Sequence, residues 1–321
     1  MPDQPAAPSF DATLARMFRR QGVDLLPAHL EEVLGFKVSK VQQLDIGVFR
    51  VDRPKDTPLV ARLFSRRRDH QAAVGDLAVL AQLELAGFPA ERPFGPEPLS
   101  IHLDQSVLVT HFVRGAPKAQ QPAGNPMVAL GKLVGRLHRL PWPTGPADRP
   151  AGALHHFAEG SPKDELSAAR RWLHDIEGRV AASDRDQLGV LERALAAADD
   201  STSLPEALVH PDPVPKNTIF TREGPVLVDW AGAGRGPRLT STALVLRSSW
   251  AGPPFMRGYA TAVELDAEER RRLPDILMAR ALIDIAFRVC REPTKVRAQV
   301  KRLSPVRKQA DTQAAAVLAK A

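Results

Sequence analysis

The sequence has 321 residues, enough for one large or two modest domains, each with a hydrophobic core. Apolar residues (44%) and charged residues (25%) occur at the frequencies of a soluble globular protein, and the single cysteine, Cys290, excludes an intrachain disulfide. The net charge of +7 permits anionic partners, but aromatic residues are only 5% and the basic residues are scattered. This composition argues against nucleic-acid binding and favours a reducing compartment.

The beginning of the chain carries early charges and no apolar run, which is not the pattern of a signal peptide. No stretch approaches the ~20 apolar residues that a membrane span needs. We therefore expect a cytoplasmic protein without a membrane partner. The sequence gives no indication of its oligomeric state.

The first third of the chain predicts strands around one long helix. Leu14, Met17 and Phe18 have helical spacing. A short helix is predicted before the C-capping Gly35. The predicted segments after the initial helix are, in order, a helix at 28–34, strands at 41–51 and 58–64 joined by a polar turn, a helix at 70–86, and a strand at 106–113.

After residue 115 the pattern becomes mainly helical. Asn125 followed by Pro126 predicts an N-cap and a first helical turn. A capping-box pattern at Asp266 and Glu269 predicts the start of a late helix. The segments predicted between and after these are a loop at 141–163, a helix at 164–198, a hairpin formed by NTIF and PVLVDW around TREG, and an apolar core helix at 275–290.

The segment LVHPDPVPKNTIF contains polar residues held between prolines. His210 and Asp212 each precede a proline, and such residues are restricted to extended conformations. The segment is therefore a stiff loop that presents Asp212 in a fixed direction. A Pro-rich surface turn would have the same local conformation, so the prolines alone do not indicate function.

The spacing of the polar residues distinguishes these two interpretations. His210-x-Asp212-x-x-x-x-Asn217, a hairpin and then Asp229 match the catalytic pattern of protein-kinase-like phosphotransferases. One carboxylate accepts the proton of a substrate hydroxyl, and oxygen ligands from an asparagine and a second carboxylate suit Mg²⁺. The hairpin brings Asn217 and Asp229 to one end of the site.

From about residue 40 to about 290 the sequence resembles the aminoglycoside phosphotransferase and choline kinase-like small-molecule kinases. The motifs that carry the resemblance are LVHPDPVPKNTIF, PVLVDWAGAGRGPRL, ELAGFPAERPF and SVLVTHFVRG. It implies an α+β, two-lobed protein-kinase-like fold. A small antiparallel-sheet lobe that binds nucleotide would comprise residues 1–113, and a larger, mainly helical catalytic and substrate-binding lobe would comprise residues 114–321.

The resemblance also implies roles for individual residues. Asp212 resembles the catalytic base, and His210 resembles the residue that braces its loop. Asn217 and Asp229 look like the Mg²⁺ ligands. Arg62 lies where the cation that binds nucleotide phosphate is expected, and a guanidinium can bind phosphate through two hydrogen bonds.

Other implied nucleotide contacts come from the N-terminal part. Asp76 shares a helix face with apolar residues and falls where an acid pairs with Arg62, although family members more often have Glu there. Gly47 lies where the phosphate-covering turn is expected, without the other glycines of a Gly-rich loop. His111 to Val113 resemble the hinge whose backbone binds adenine. Lys216, four residues after Asp212, has no assigned role.

Three functions were weighed. The first is an ATP- and Mg²⁺-dependent kinase of a small-molecule hydroxyl, with GTP as a possible alternative nucleotide. The second is a nucleotide-binding pseudokinase that acts as a scaffold or sensor, because the glycine loop is sparse and no second acid follows Asp229. A protein kinase is disfavoured because the APE pattern of the activation segment is missing. A polycationic acceptor would require an acid-lined pocket, and 160–200 and 264–284 contain the candidate acids.

Two further clusters were considered. His155 and His156 lie in a loop without other residues at metal-ligand spacing, which disfavours a zinc site. Arg280, Asp284 and Arg288 are spaced four residues apart on the late helix and predict a stripe of ion pairs. The alternative for this stripe is that Asp284 lines the substrate pocket.

Overall fold

The computed structural model describes residues 10–12, 14, 19–152 and 161–321. The described strands are β1 Lys40–Asp45, β2 Val48–Asp52, β3 Leu59–Leu63, β4 Leu99–His102, β5 Gln105–His111, β6 Glu206–Val209, β7 Thr218–Phe220, β8 Pro225–Leu227 and β9 Gly234–Pro237. The longer described helices are α1 Leu26–Leu34, α2 His70–Leu85, α3 Pro126–Leu137, α4 Pro162–Asp175, α5 Arg185–Ala196, α6 Arg238–Leu246, α7 Gly252–Tyr259, α8 Ala267–Arg291, α9 Val296–Val300 and α10 Leu303–Leu318.

An antiparallel sheet with the strand order β1-β2-β3-β5-β4 forms the N-terminal part. Alternate residues of β2 and β3 are buried, as expected for strands with one face on a core. Phe49, Leu59 and Leu63 pack with Leu26 and Leu30 of α1. Arg62 therefore points to the opposite face of β3 from this core.

The segment 41–51 is a hairpin, and the prediction of a single strand was wrong. The chain turns between β1 and β2 at Ile46 and Gly47, and Gly47 has a φ of 70°. A left-handed residue cannot continue an extended strand, and glycine adopts this conformation without steric cost. The β2–β3 register pairs Val48 with Arg62, so the turn lies beside Arg62.

Two small antiparallel sheets follow in the C-terminal part. β7 and β8 form the predicted hairpin, which pairs Thr218 with Leu227. β6 pairs with β9, so Val209 lies opposite Gly234. The glycine-rich segment after Asp229 thus returns beside β6, the strand that leads into the loop containing Asp212.

The predicted helix at 164–198 is two helices, α4 and α5. Short 3-10 turns at Glu177–Arg179 and Ala182–Asp184 separate them. The apolar residues before and after this break, including Leu173 and Leu188, pack in one cluster with α8. Burial on both sides explains why periodicity alone did not reveal the break.

Helices α1, α2 and α3 agree with the sequence predictions, α6 was not predicted, and α8 begins at the predicted capping box formed by Asp266 and Glu269. The predicted N-terminal helix depends on Met17 and Phe18, which lie outside the described residues, as do His155 and His156. The division between residues 113 and 114 stays a prediction. Among the residues described, no helix has both the length and the apolar character that crossing a membrane requires.

Helices α3 and α7 cross at glycines that permit close backbone contact. A Cβ atom on Gly131 would lie 2.0 Å from the carbonyl oxygen of Phe255, and one on Gly258 would lie 2.0 Å from that of Val128. A methyl group at either position therefore forces the two helices apart, and overpacking of this kind typically costs about 1–3 kcal/mol.

We predict that Gly131→Ala lowers the free energy of unfolding by about 1–3 kcal/mol because the helix crossing must widen. Urea unfolding followed by circular dichroism measures the change. Gly189→Ala in α5 is the matched control, since a Cβ there meets only the flexible end of Arg193, at 3.3 Å. It should stabilise by up to about 1 kcal/mol through helix propensity. Equal stability of Gly131→Ala and the parent protein would contradict the prediction.

Candidate active site

The loop after β6 is fixed by hydrogen bonds to its own backbone and to β8. The Asp212 amide donates to His210 Nδ1 at 3.0 Å, and His210 Nε2 lies 3.0 Å from the Val228 carbonyl oxygen. Because Nδ1 accepts, Nε2 carries the proton and donates to Val228. His210 is fully buried and packs edge-on against Trp230, with 4.6 Å between ring centroids. It braces the loop as a neutral imidazole.

Asn217 connects this loop to the following hairpin. Its Nδ2 donates to the Asp212 carbonyl oxygen at 2.9 Å and to Asp212 Oδ2 at 3.1 Å. The Val228 amide in turn donates to the Asn217 carbonyl oxygen at 3.0 Å. Because Nδ2 is engaged with Asp212, the remaining polar atom of the Asn217 side chain, Oδ1, is an acceptor or metal ligand.

Asp229 follows β8 in a left-handed conformation, with a φ of 72°. Its amide donates to Glu91 Oε1 at 2.9 Å, and Glu91 Oε2 accepts from the Thr110 hydroxyl at 3.1 Å. A non-glycine residue in this region is strained by about 1–3 kcal/mol and persists only where its surroundings hold it. The buried Glu91 carboxylate holds Asp229 and ties it to β5.

Arg62 pairs with Asp229. Its Nη1 lies 3.0 Å from Asp229 Oδ1. Burial by itself lowers the pKa of the Arg62 guanidinium, but the carboxylates of Asp229, Glu91 and Asp76 outweigh burial, and the net pKa is raised. Arg62 is therefore a permanent cation among acids.

The predicted ion pair between Arg62 and Asp76 is wrong. The Asp76 carboxylate is 1% exposed and binds Arg68 at 2.7 Å, Arg149, and the amide of Gly232 at 2.9 Å. Asp is shorter than the Glu more usual at this position, and two other guanidiniums lie within its reach. Asp76 acts on Arg62 only through its charge, and its contacts join α2 to the segment that follows Asp229.

Sequence reasoning missed three residues that shape the site, namely Glu91, Arg149 and Arg20. Glu91 lies in ELAGFPAERPF, where an acid next to apolar residues was the available signal. Arg20 Nε donates to the Leu63 carbonyl oxygen at 2.6 Å beside the Gly47 turn. Burial, and then the charge of Arg62, lower the pKa of Arg20. No sequence pattern places Arg20 there.

Gly47, His111 and Val113 are also predicted to contact the nucleotide, and these contacts stay predictions. The Gly47 turn lies beside Arg62, as described above. The amide of His111 donates to the Arg92 carbonyl oxygen at 2.8 Å, and β5 ends there. Val113 lies just beyond this strand end, in the connection to the C-terminal part. Lys216 is exposed in a short 3-10 turn, Pro215–Asn217, and its role stays unassigned.

A cavity of about 370 Å³ lies beside Pro211, next to Asp212 in sequence. We call it the acceptor pocket, and its described lining comprises Pro150, Ala151, Gly152, Ser161, Pro162, Glu165, Glu206, Val209, Pro211, Arg235, Gly236, Pro237, Thr240, Ser241, Leu244 and Arg280. The described lining includes Arg280 but not Asp284. Asp284 instead pairs with Arg280 at 3.1 Å and with Arg247 at 2.6 Å, which confirms the ion-pair interpretation of this part of α8.

The pKa of Glu165 is raised to about 8, because burial outweighs the attraction of Arg280 and Asp284 adds to the increase. The unfolded carboxyl titrates at about 4.5. Between these values the folded protein binds more protons, so the stability that Glu165 contributes at low pH is lost as the pH rises towards 8. Burial lowers the pKa of His138 to about 3, whereas the unfolded imidazole titrates at about 6.5. Between these two values the unfolded protein binds more protons, so the effect of His138 is to raise stability as the pH rises.

We predict that Glu165→Gln removes this loss of stability between pH 5 and 8, because glutamine does not titrate. The slope of unfolding free energy against pH should differ from that of the parent by up to about 1.4 kcal/mol per pH unit. Urea titrations at several pH values measure it, and the comparison cancels the contribution of His138. Glu97→Gln, at an exposed position, is the control. Parallel slopes for Glu165→Gln and the parent would refute the prediction.

The donor atoms of Asn217 and Asp229 have the chemistry of a magnesium site that is completed by phosphate oxygens. Mg²⁺ is commonly held by one or two protein oxygen ligands together with substrate phosphates and water. Residues 10–12, 14, 19–152 and 161–321 contain no cluster of three or more His, Cys, Asp or Glu side chains able to hold a metal. Two oxygen ligands, Asn217 Oδ1 and the Asp229 carboxylate, fit a metal whose other ligands are phosphate oxygens and water.

The sequence profile of the phosphotransferase enzyme family matches residues 46–274, more than half of the chain. The chain belongs to this family. The match spans His210, Asp212, Asn217 and Asp229, and it confirms the sequence prediction of a phosphotransferase at the level of enzyme class. No curated protein sequence matches the chain significantly.

Solved structures of similar fold agree with the family assignment. An amicoumacin kinase, in complex with AMP-PNP, Ca²⁺ and Ami, is 16% identical over 91% of this chain and 94% of that chain, with a TM-score of 0.63. A choline/ethanolamine kinase family protein from Mesorhizobium loti is 18% identical over 92% and 98%, with a TM-score of 0.57. A spectinomycin phosphotransferase, in complex with ADP and spectinomycin, is 12% identical over 92% and 98%, with a TM-score of 0.58. At such identities the likeness concerns the fold, and the predicted α+β protein-kinase-like fold is confirmed.

Proposed function

We propose that this phosphotransferase transfers the γ-phosphoryl group of ATP, bound with Mg²⁺, to a hydroxyl group of a small molecule. One observation carries the proposal. Asn217 is bonded to Asp212 at 3.1 Å, Arg62 is paired with Asp229 at 3.0 Å, and the Val228 amide, next to Asp229, donates to the Asn217 carbonyl oxygen at 3.0 Å. A carboxylate base, two oxygen ligands for a metal and a phosphate-binding cation are the groups that this reaction uses.

In this proposal Asp212 accepts the proton of the acceptor hydroxyl. The hydroxyl oxygen forms a bond to the γ-phosphorus while the bond from that phosphorus to the β–γ bridging oxygen breaks, which leaves ADP and a phosphate ester. Asp212 is 8% exposed and held by His210 and Asn217, so its carboxylate keeps a fixed direction. Such positioning is what general base catalysis requires.

Asn217 Oδ1 and the Asp229 carboxylate would hold Mg²⁺, which when bound neutralises charge on the nucleotide phosphates. Arg62 would contribute a second positive charge. The Arg62 guanidinium pairs with a carboxylate in this structure through Nη1, and guanidinium groups bind phosphate as they bind carboxylate. Nucleotide phosphates would thus compete with Asp229 for Arg62, while Glu91 keeps Asp229 in its left-handed conformation.

Two of the similar structures support the choice of ligands. The amicoumacin kinase contains AMP-PNP and Ca²⁺, and the spectinomycin phosphotransferase contains ADP. Both are adenine nucleotides, and one is accompanied by a divalent cation. They support ATP and a divalent metal as the ligands of this chain.

The test is transfer of labelled γ-phosphate from MgATP to a panel of sugars, cyclitols, amino alcohols and amino sugars. We expect transfer to at least one acceptor, together with slow ATP hydrolysis, and both should require a divalent cation. Thermal unfolding with and without MgATP measures nucleotide binding separately. Binding with neither transfer nor hydrolysis would refute the enzyme and favour the pseudokinase alternative.

A further inference from the structure

Glu165 and Arg280 line the acceptor pocket, and their hydrogen-bonding capacity is incompletely used. Glu165 is 4% exposed. Among the described residues, Glu165 Oε1 and Arg280 Nε and Nη1 are buried without a hydrogen-bond partner. Nη1 and Oε1 are 3.9 Å apart, too far for a direct hydrogen bond. Buried polar atoms without partners cost free energy, so a ligand that supplies partners gains affinity.

The separation of these atoms determines which ligand group satisfies both. A hydroxyl oxygen about 2.8 Å from each can accept from Arg280 and donate to Glu165. An ammonium group would satisfy Glu165 but places a positive charge beside the Arg280 guanidinium. A carboxylate would satisfy Arg280 but meets the negative charge of Asp284, which already pairs with Arg280 at 3.1 Å. The pair therefore favours an uncharged hydroxyl.

The remaining walls agree with a compact, uncharged ligand. The described ionisable lining consists of Glu165, Glu206, Arg235 and Arg280. Glu165 is protonated at pH 7, and one carboxylate offsets the charge of each guanidinium, Glu206 for Arg235 and Asp284 for Arg280. Arg235 and Glu206 also lie 3.8 Å apart at the pocket. Among the described lining residues, a polycation would find no excess of acid.

The volume and the apolar lining of the acceptor pocket also favour a compact, uncharged ligand. Pockets for small molecules measure roughly 300–1,000 Å³, and this one, at about 370 Å³, is near the lower end. Apolar side chains such as Val209, Pro237 and Leu244 can cover the C–H faces of a ring. Thr240 and Ser241 also line the pocket, and their hydroxyls are hydrogen-bonded to Ser201 and to the Arg238 carbonyl oxygen.

We infer that the acceptor pocket binds a compact, uncharged polyhydroxyl compound of the monosaccharide or cyclitol class, with one hydroxyl between Glu165 and Arg280 and another presented to Asp212. This inference depends on the proposed phosphotransferase reaction, in which the second hydroxyl receives the γ-phosphoryl group and gives its proton to Asp212. The raised pKa of Glu165 agrees with it, since at pH 7 the protonated carboxyl can donate a hydrogen bond.

Acceptor selectivity is the first test, in MgATP assays with size-matched neutral, cationic and anionic compounds, such as glucose, glucosamine and gluconate, and inositols with their amino analogues. We expect a neutral compound to have a kcat/KM at least tenfold above those of its charged analogues. Preference for a charged analogue, or no transfer to any neutral compound, would overturn the inference. Asp212-dependent ATP hydrolysis reports on the proposed function separately, so its persistence would show that only the acceptor class is wrong.

Variants of the pair are the second test. Glu165→Leu and Arg280→Met should each raise the KM for the neutral acceptor at least tenfold, with thermal unfolding as a check on folding. Glu165→Gln should restore most of the loss seen in Glu165→Leu, because the amide keeps an uncharged donor and acceptor. Arg271→Met, at an exposed position on the same helix, is the matched control. If glutamine were as harmful as leucine, the carboxylate charge would be what matters, and the inference would fail.

Discussion

Asp212→Asn is expected to lower kcat by about 10²–10⁴-fold, because the amide cannot accept the proton of the acceptor hydroxyl. Asparagine has the same shape, the backbone contacts of residue 212 to His210 and Asn217 do not involve its carboxylate, and its side-chain oxygen can accept from Asn217 Nδ2 as Asp212 Oδ2 does. The loop should therefore keep its conformation, and the KM for ATP should change less than threefold. Steady-state kinetics with saturating acceptor measure kcat directly.

The control for Asp212→Asn is Asp186→Asn, the same change at an exposed position of α5. It should leave kcat and KM as in the parent. Thermal unfolding of all three proteins shows whether a loss of rate arises from misfolding. A folded Asp212→Asn protein with kcat within threefold of the parent would exclude Asp212 as the base.

Asp229→Asn is expected to abolish the dependence of nucleotide binding on Mg²⁺, because it removes the charged oxygen ligand and leaves Asn217 as the sole proposed protein ligand. The Kd for ATP measured with Mg²⁺ should rise at least tenfold, to about the value measured with EDTA. Asparagine tolerates the left-handed conformation of residue 229, so the backbone contact to Glu91 should persist. Isothermal titration calorimetry with a non-hydrolysable ATP analogue measures both constants.

Asp104→Asn is a close control for Asp229→Asn, because Asp104 is also a left-handed aspartate, with a φ of 59°. It is strongly exposed and pairs only with Arg66, at 3.4 Å. Its replacement should leave both Kd values unchanged. If Asp229→Asn kept the parent's Mg²⁺ dependence, the metal site would have to be built from other residues.

The sequence was sufficient for features that depend on local chemistry. The prolines around Asp212, the C-capping Gly35, and the capping box of Asp266 and Glu269 restrict the backbone within a few residues, and these restrictions operate in any tertiary context. The spacing of His210, Asp212, Asn217 and Asp229 also predicted which residues the β7–β8 hairpin brings together. The family match then confirmed the enzyme class.

Errors arose where local patterns were ambiguous. A hairpin with a two-residue turn has the same alternation as one long strand, so the turn at Gly47 was placed inside a strand. The break between α4 and α5 was hidden because apolar residues on both sides face the same core. In both segments the hydrophobic periodicity continues across the point where the chain changes direction, so periodicity alone does not locate that point.

Contacts between distant segments were decided by tertiary structure alone. Asp76 had three arginines within its surroundings, and the fold placed Arg68 and Arg149 in contact with it while Arg62 paired with Asp229. Glu91 contacts the Asp229 amide across 138 positions of sequence. Likewise, Glu165 and Arg280 come from different helices and meet only in the folded protein.

The sequence by itself determined the class of enzyme and the extended conformation of the loop around Asp212, and it predicted the catalytic base and the metal-binding pair, because these depend on short-range backbone restriction and on residue types at fixed spacing. Only the tertiary structure decided the ion-pair partners, the support of Asp229 and which described residues line the acceptor pocket. The physical reason is that the energies of ion pairs and hydrogen bonds depend on the distance between the groups and on their burial. For residues far apart in the sequence, the number of intervening residues specifies neither quantity.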